Sequence, residues 1–123
     1  MPTINVRDLN VLAVYASNFQ RSVAFYTDHL GFEKVEDMPP GILMKAGAVM
    51  LYIEAGKVVE PETGPSPGGF CPCFAVDSVK ESYQALREAG VRISTPYQEF
   101  GPAFALFRIT DPDGNVIEFA GSP

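Results

Sequence analysis

Asp111-Pro112-Asp113-Gly114-Asn115-Val116-Ile117-Glu118-Phe119 reads as a tight turn leading into a strand. Pro112 sets φ after Asp111, and Asp113-Gly114 supplies the left-handed position that a tight turn needs. Beyond the turn the side chains alternate, Val116 and Glu118 to one side, Ile117 and Phe119 to the other. A glutamate in an otherwise apolar strand costs free energy to bury unless something pairs with it. Glu118 therefore faces solvent, as most glutamates do, or faces a polar cavity with a purpose. An earlier strand with the same pattern weakens the first reading.

Working back from this strand, residues 103–110 form another. Ala105, Phe107 and Ile109 make a wholly apolar face suited to the core, while Phe104, Leu106 and Arg108 face the other way. A short strand is expected near 91–94. Val79, Tyr83 and Leu86 recur at helical spacing, with Ser78 and Glu81 as a capping box and Gly90 as the stop. Residues 70–76 read as a strand in which Pro72 removes one donor, suggesting an edge or bulge. Residues 55–69 are rich in proline and glycine and read as a connection.

Residues 10–54 carry the same programme. A run at 10–16 suits a strand buried on both faces. Ser17 with Gln20 fits a capping box, Phe19, Val23, Tyr26 and Leu30 form an apolar stripe, and Gly31 ends the helix. Strands are expected near 32–37, 41–46 and 49–54, with Pro39-Pro40-Gly41 and Ala46-Gly47 between them. The first strand and helix register with their later copies at an offset of 60, falling to 59 at the glycines, and the last strands at 66. This is a duplicated β-α-β-β-β unit, α+β in class, in which each copy needs the other to close a core. Module one spans about 8–55, the loop 56–69 and module two about 70–120, giving one domain over 1–123.

Composition narrows the function. The 123 residues are 46% hydrophobic and 20% charged, ordinary for a soluble domain. No apolar run has membrane-spanning length and the first residues lack a signal pattern, so the expected location is the cytoplasm. A net charge of −6 disfavours nucleic acid and anionic membranes and mildly favours a cationic ligand. The two cysteines, Cys71 and Cys73, stand too close in a strand for an ordinary structural disulfide.

Arg21-Ser22-Val23-Ala24-Phe25-Tyr26, Leu30-Gly31-Phe32 and the 111–119 stretch together resemble the vicinal oxygen chelate superfamily. That group includes glyoxalase I, bleomycin-resistance proteins, fosfomycin-resistance thiol transferases and extradiol dioxygenases. The resemblance implies paired β-α-β-β-β modules whose eight strands curl into a cupped, half-open barrel, and a homodimer. It does not name a reaction, because one fold hosts many. The metal-binding members place ligands at the first and last strand of each module, positions held here by Val11, Tyr52, Cys71 and Glu118. Valine cannot ligate, tyrosine and cysteine are not the usual ligands there, and only Glu118 keeps the expected type. The sole histidine, His29, lies at the end of the first helix. No metal and no other cofactor is therefore expected.

By strand parity Val11, Ala13 and Tyr15 share a face, as do Met50, Tyr52 and Glu54, and Cys71, Cys73 and Ala75. The expected ligand-binding residues are Tyr15, Tyr52, Cys71, Cys73, Phe104, Arg108 and Glu118, an aromatic and sulfur-lined surface with few charges. Each has a plainer reading: tyrosines filling the fold, cysteines as small hydrophobes, Arg108 as the counter-ion of Glu118. Two functions follow. One is a metal-independent binder that sequesters an aromatic or cationic compound, as in drug or toxin resistance. The other is a lyase, thiol transferase or dioxygenase, either metal-free with Glu118 as catalytic base or using atypical metal ligands.

Overall fold

Asn18 and Ser78 start the two helices, α1 (Phe19–Asp28) and α2 (Val79–Glu88), of a computed structural model. It describes residues 2, 3, 5, 7–56 and 71–123, so the expected loop beyond Gly56, and Phe70, lie outside the described residues. Ser78 accepts from the Glu81 amide, as the capping box predicts. In α1 the cap is Asn18, not Ser17: its Oδ1 accepts from the Arg21 amide at 3.1 Å. Asn18 is extended, at φ −121° and ψ 97°, so the chain turns into the helix one residue later than expected. Both helices end before glycines with positive φ, Gly31 at 73° and Gly90 at 82°.

The chain divides into two units, Met1–Lys57 and Val58–Pro123. The first contains β1 (Leu12–Ala16), β2 (Glu33–Met38), β3 (Gly41–Ala46) and β4 (Val49–Ala55), in sheet order β1-β4-β3-β2. The second contains β5 (Cys73–Phe74), β6 (Ile93–Glu99), β7 (Ala105–Thr110) and β8 (Val116–Gly121), in the matching order β5-β8-β7-β6. In each sheet the first and last strands pair in parallel and the other neighbours antiparallel. A parallel pair needs a crossover, and the helix after the first strand begins it. The fold is α+β, two β-α-β-β-β modules, as the repeat implies.

In each unit the helix lies against one face of its sheet. Leu51 and Ile53 of β4, Met44 and Ile42 of β3, and Tyr26 and Ser22 of α1 are buried in the first. Tyr26 meets Phe32 edge to face, at 5.9 Å between ring centroids. In the second, Ala105, Phe107, Ile109, Ile117 and Phe119 are buried with Val79 and Leu86. Tyr83 of α2 packs edge-on to Phe107 at 5.2 Å, and Phe107 stacks on Phe119 at 5.1 Å. The parity read for the strand at 103–110 holds: its apolar side is core.

Three expectations need correction. The first strand is not buried on both faces, because Ala13 and Tyr15 point away from the helix-covered side and are exposed. The strand expected over 70–76 shortens to Cys73–Phe74. Pro72 has no amide to donate, although its carbonyl still accepts from the Glu118 amide at 2.9 Å. The strand expected at 91–94 runs instead from Ile93 to Glu99. Pro96 is tolerated because β6 is an edge strand whose register slips twice against β7, between Ile93 and Thr95 and between Thr95 and Gln98.

The turn between β7 and β8 is built on a carboxylate. Buried Asp111 accepts from the Asp113 amide, the Asn115 amide and the Asn115 side chain, at 2.9, 2.9 and 2.8 Å. Its own carbonyl takes the Gly114 amide at 3.0 Å. These bonds set the register that places Glu118 opposite Arg108.

Candidate ligand site

In the second unit the face away from α2 carries a polar row across all four strands. Cys73 of β5 pairs in register with Glu118 of β8, Glu118 with Arg108 of β7, and Arg108 with Thr95 of β6. Register partners share a face, so the four side chains line up. Arg108 donates from Nε to Glu118 Oε1 at 3.0 Å, with 30% and 19% of the two side chains exposed. The glutamate is thus neither alone nor wholly buried. Its charge is met by a guanidinium, the counter-ion role read as the plainer alternative for Arg108.

The thiols feel the same carboxylate. Cys73 is pushed up to about 11, first by partial desolvation, then by donating a hydrogen bond to Glu118, by that group's charge, and by Cys71. Cys71 is raised too, first by burial and then by Glu118, with Arg108 opposing. Its sulfur reaches the carbonyls of Val116 at 3.6 Å and Pro72 at 3.7 Å. Both are protonated near neutrality, which makes them poor nucleophiles and poor ligands.

Phe104 lies before β7 and is 43% exposed, its ring 6.2 Å from that of Phe100. The Phe100 amide donates to the Phe104 carbonyl at 2.7 Å, closing the β6–β7 hairpin. Phe104 thus belongs to a hairpin tip.

In the first unit Tyr15 and Tyr52 lie on the sheet face away from α1. Ala13 pairs with Tyr52 and Tyr15 with Glu54, while Leu43 and Gly41 continue those rows across β3. Tyr52 reaches over Gly41: a Cβ there would lie 2.7 Å from its Cζ and 2.9 Å from its hydroxyl oxygen. The hydroxyl donates to the Met38 carbonyl at 2.7 Å. Tyr15 is 53% exposed. Glu54 is the residue that the expected site omitted; its shared parity with Tyr52 was the signal for it.

The sequence profile of the glyoxalase/bleomycin resistance protein/dioxygenase superfamily matches residues 8–119 and so runs through both units. The chain belongs to that superfamily. The uncharacterized protein YurT of Bacillus subtilis is 28% identical, the match covering 88% of this chain and 94% of that protein. Among solved structures, a glyoxalase family protein from Enterococcus faecalis aligns with a TM-score of 0.75 at 25% identity, over 93% of this chain and 97% of that one. A lactoylglutathione lyase from Agrobacterium tumefaciens aligns with a TM-score of 0.71 at 24% identity, over 94% and 92%. Likeness at this level establishes the shared fold.

The residues that the sequence resemblance places at metal-ligand positions do not fit a divalent ion. Val11 has no donor atom, the Tyr52 hydroxyl is committed to Met38, and Glu118 is paired with Arg108. Cys71 holds its proton. Among the described residues no three His, Cys, Asp or Glu side chains gather where they could hold a metal.

Proposed function

We propose that this superfamily member is a metal-independent binder of an aromatic small molecule, sequestering it rather than transforming it. The supporting observation is the pairing of Glu118 with Arg108 at 3.0 Å. A carboxylate engaged by a guanidinium is poorly placed to take a divalent ion or to abstract a proton. In the first unit the face away from α1 offers tyrosine surface, and in the second the face away from α2 offers a thiol beside the Arg108–Glu118 pair, features that suit small-molecule sites. On this reading residues 1–123 act as one domain, in the cytoplasm, as a homodimer, and the biological role is resistance to a drug or toxin.

Metal analysis of the purified protein, beside a thermal-shift screen of aromatic compounds, tests the proposal. It expects no stoichiometric divalent ion, no effect of chelator on melting, and stabilisation by one or more aromatic compounds. A ligand that binds only the folded state must raise the melting temperature. A rise of several degrees with zinc, nickel, manganese or iron would overturn the metal-independent reading.

A further inference from the structure

Within the first unit Glu54 stands between two tyrosines. Tyr15 is its register partner on β1 and Gly41 its partner on β3. Because Gly41 has no side chain, the Tyr52 ring occupies the space that a Cβ would take there. On the other side Tyr15 lies against Gly56, whose Cβ would be 3.4 Å from Tyr15 Cδ1. The missing side chain of Gly41 thus makes room for the Tyr52 ring in the row of Glu54, with Tyr15 in register on the other side. The residue across from Gly41 on β2 is Met38, 43% exposed, which extends the apolar rim.

The Glu54 side chain has no hydrogen bond or ion pair among the described residues, in contrast to that of Glu118. Among the described residues of this sheet the basic side chain on this face is Lys45, two rows away and in register with Glu33. Glu36 enters the intervening row opposite Leu43 and adds a second negative charge. An unpaired carboxylate flanked by aromatic rings suits a cation with a large, weakly hydrated surface. The ring faces attract the positive charge, the carboxylate neutralises it, and no exchange of inner-shell water is required. A metal ion would need more oxygen ligands than one carboxylate supplies.

We infer that Tyr15, Glu54 and Tyr52 form a binding site for a small organic ammonium cation. This rests on the small-molecule-binding reading above and names the charged part of its ligand. The chain's net charge of −6 assists the approach of such a ligand.

Titration with benzyltrimethylammonium chloride, followed by tyrosine fluorescence and the probe's methyl proton signal, tests it, with benzyl alcohol as the neutral aromatic comparison. The parent protein should bind the cation saturably and more tightly than the alcohol, and added sodium chloride should weaken that binding. Glu54→Gln should weaken it about fivefold and Tyr15→Leu about threefold, from the usual strengths of part-exposed ion pairs and cation–π contacts. Glu88→Gln, which removes the same charge from the exposed end of α2, should leave it unchanged. Equal binding by Glu54→Gln and parent overturns the inference. If Glu54→Gln fails to fold, Tyr15→Leu and the salt dependence of the parent decide. Binding of benzyl alcohol as tight as that of the cation overturns the ammonium site but leaves the aromatic-binding reading standing. Failure of both probes and of the aromatic screen removes both.

Discussion

Replacing Glu118 with glutamine should make Cys73 more reactive. Cys73 titrates at about 11 rather than 9.0, and Glu118 enters twice among the causes, as hydrogen-bond acceptor and as negative charge. At pH 8 a thiol of pKa 9.0 is about one-tenth thiolate and one at about 11 about one-thousandth, a ratio of roughly 100. A more basic thiolate is also the better nucleophile, with a Brønsted slope of about 0.4–0.5, which returns a factor of roughly 8. Cys73 in the folded protein should therefore react about tenfold slower than an ordinary thiol. Glu118→Gln removes the negative charge but keeps an amide oxygen that can still accept from the thiol, and it leaves desolvation in place, so it should recover part of that difference, about twofold. The assay is alkylation by iodoacetamide at pH 8 in a Cys71→Ser background, where Cys73 is the only thiol. The same protein in urea gives the reference rate. A folded Cys71→Ser protein that reacts as fast as it does in urea would refute the reasoning. So would a folded Glu118→Gln protein with an unchanged rate.

Three further outcomes follow from the geometry. The raised Cys73 contributes stability that is complete below pH 9 and is lost as pH rises toward about 11; the parent should therefore lose more melting temperature over that interval than Cys73→Ser, and parallel curves would count against it. Arg108→Met and Glu118→Gln should couple by about 1 kcal/mol in urea titrations of a double-mutant cycle, since the pair is partly screened; a coupling near zero would mean that the 3.0 Å contact does not persist in solution. Gly41→Ala would press a methyl group against the Tyr52 ring and the Ile53 carbonyl and should cost about 2 kcal/mol, whereas Tyr52→Phe should cost only about 1 kcal/mol for the lost bond to Met38. A neutral Gly41→Ala in chemical denaturation would show that Tyr52 does not lie there.

Local chemistry alone determined much of this protein. Apolar side chains at helical spacing, a capping serine and a terminal glycine place α2 because each acts within a few residues of itself. Strand alternation separates Phe107 and Ile109 from Arg108 for the same reason: the backbone of a strand allows no other arrangement. The repeated order of these signals gives the duplicated module. Tertiary structure decided which side chains meet. Asn18 displaced Ser17 as the cap because the path of the incoming chain, not the residue type, selects between adjacent good caps. Pro96 could sit within β6 because that strand is an edge, a property of sheet order and not of its own sequence. Arg108 and Glu118 are ten residues apart in the chain, and only the register set by the Asp111 turn aligns them. Glu54 and its two tyrosines depend on pairing across three strands and on Gly41, whose missing side chain makes room for the Tyr52 ring. Such arrangements depend on contacts between distant segments, which no pattern within a single segment contains.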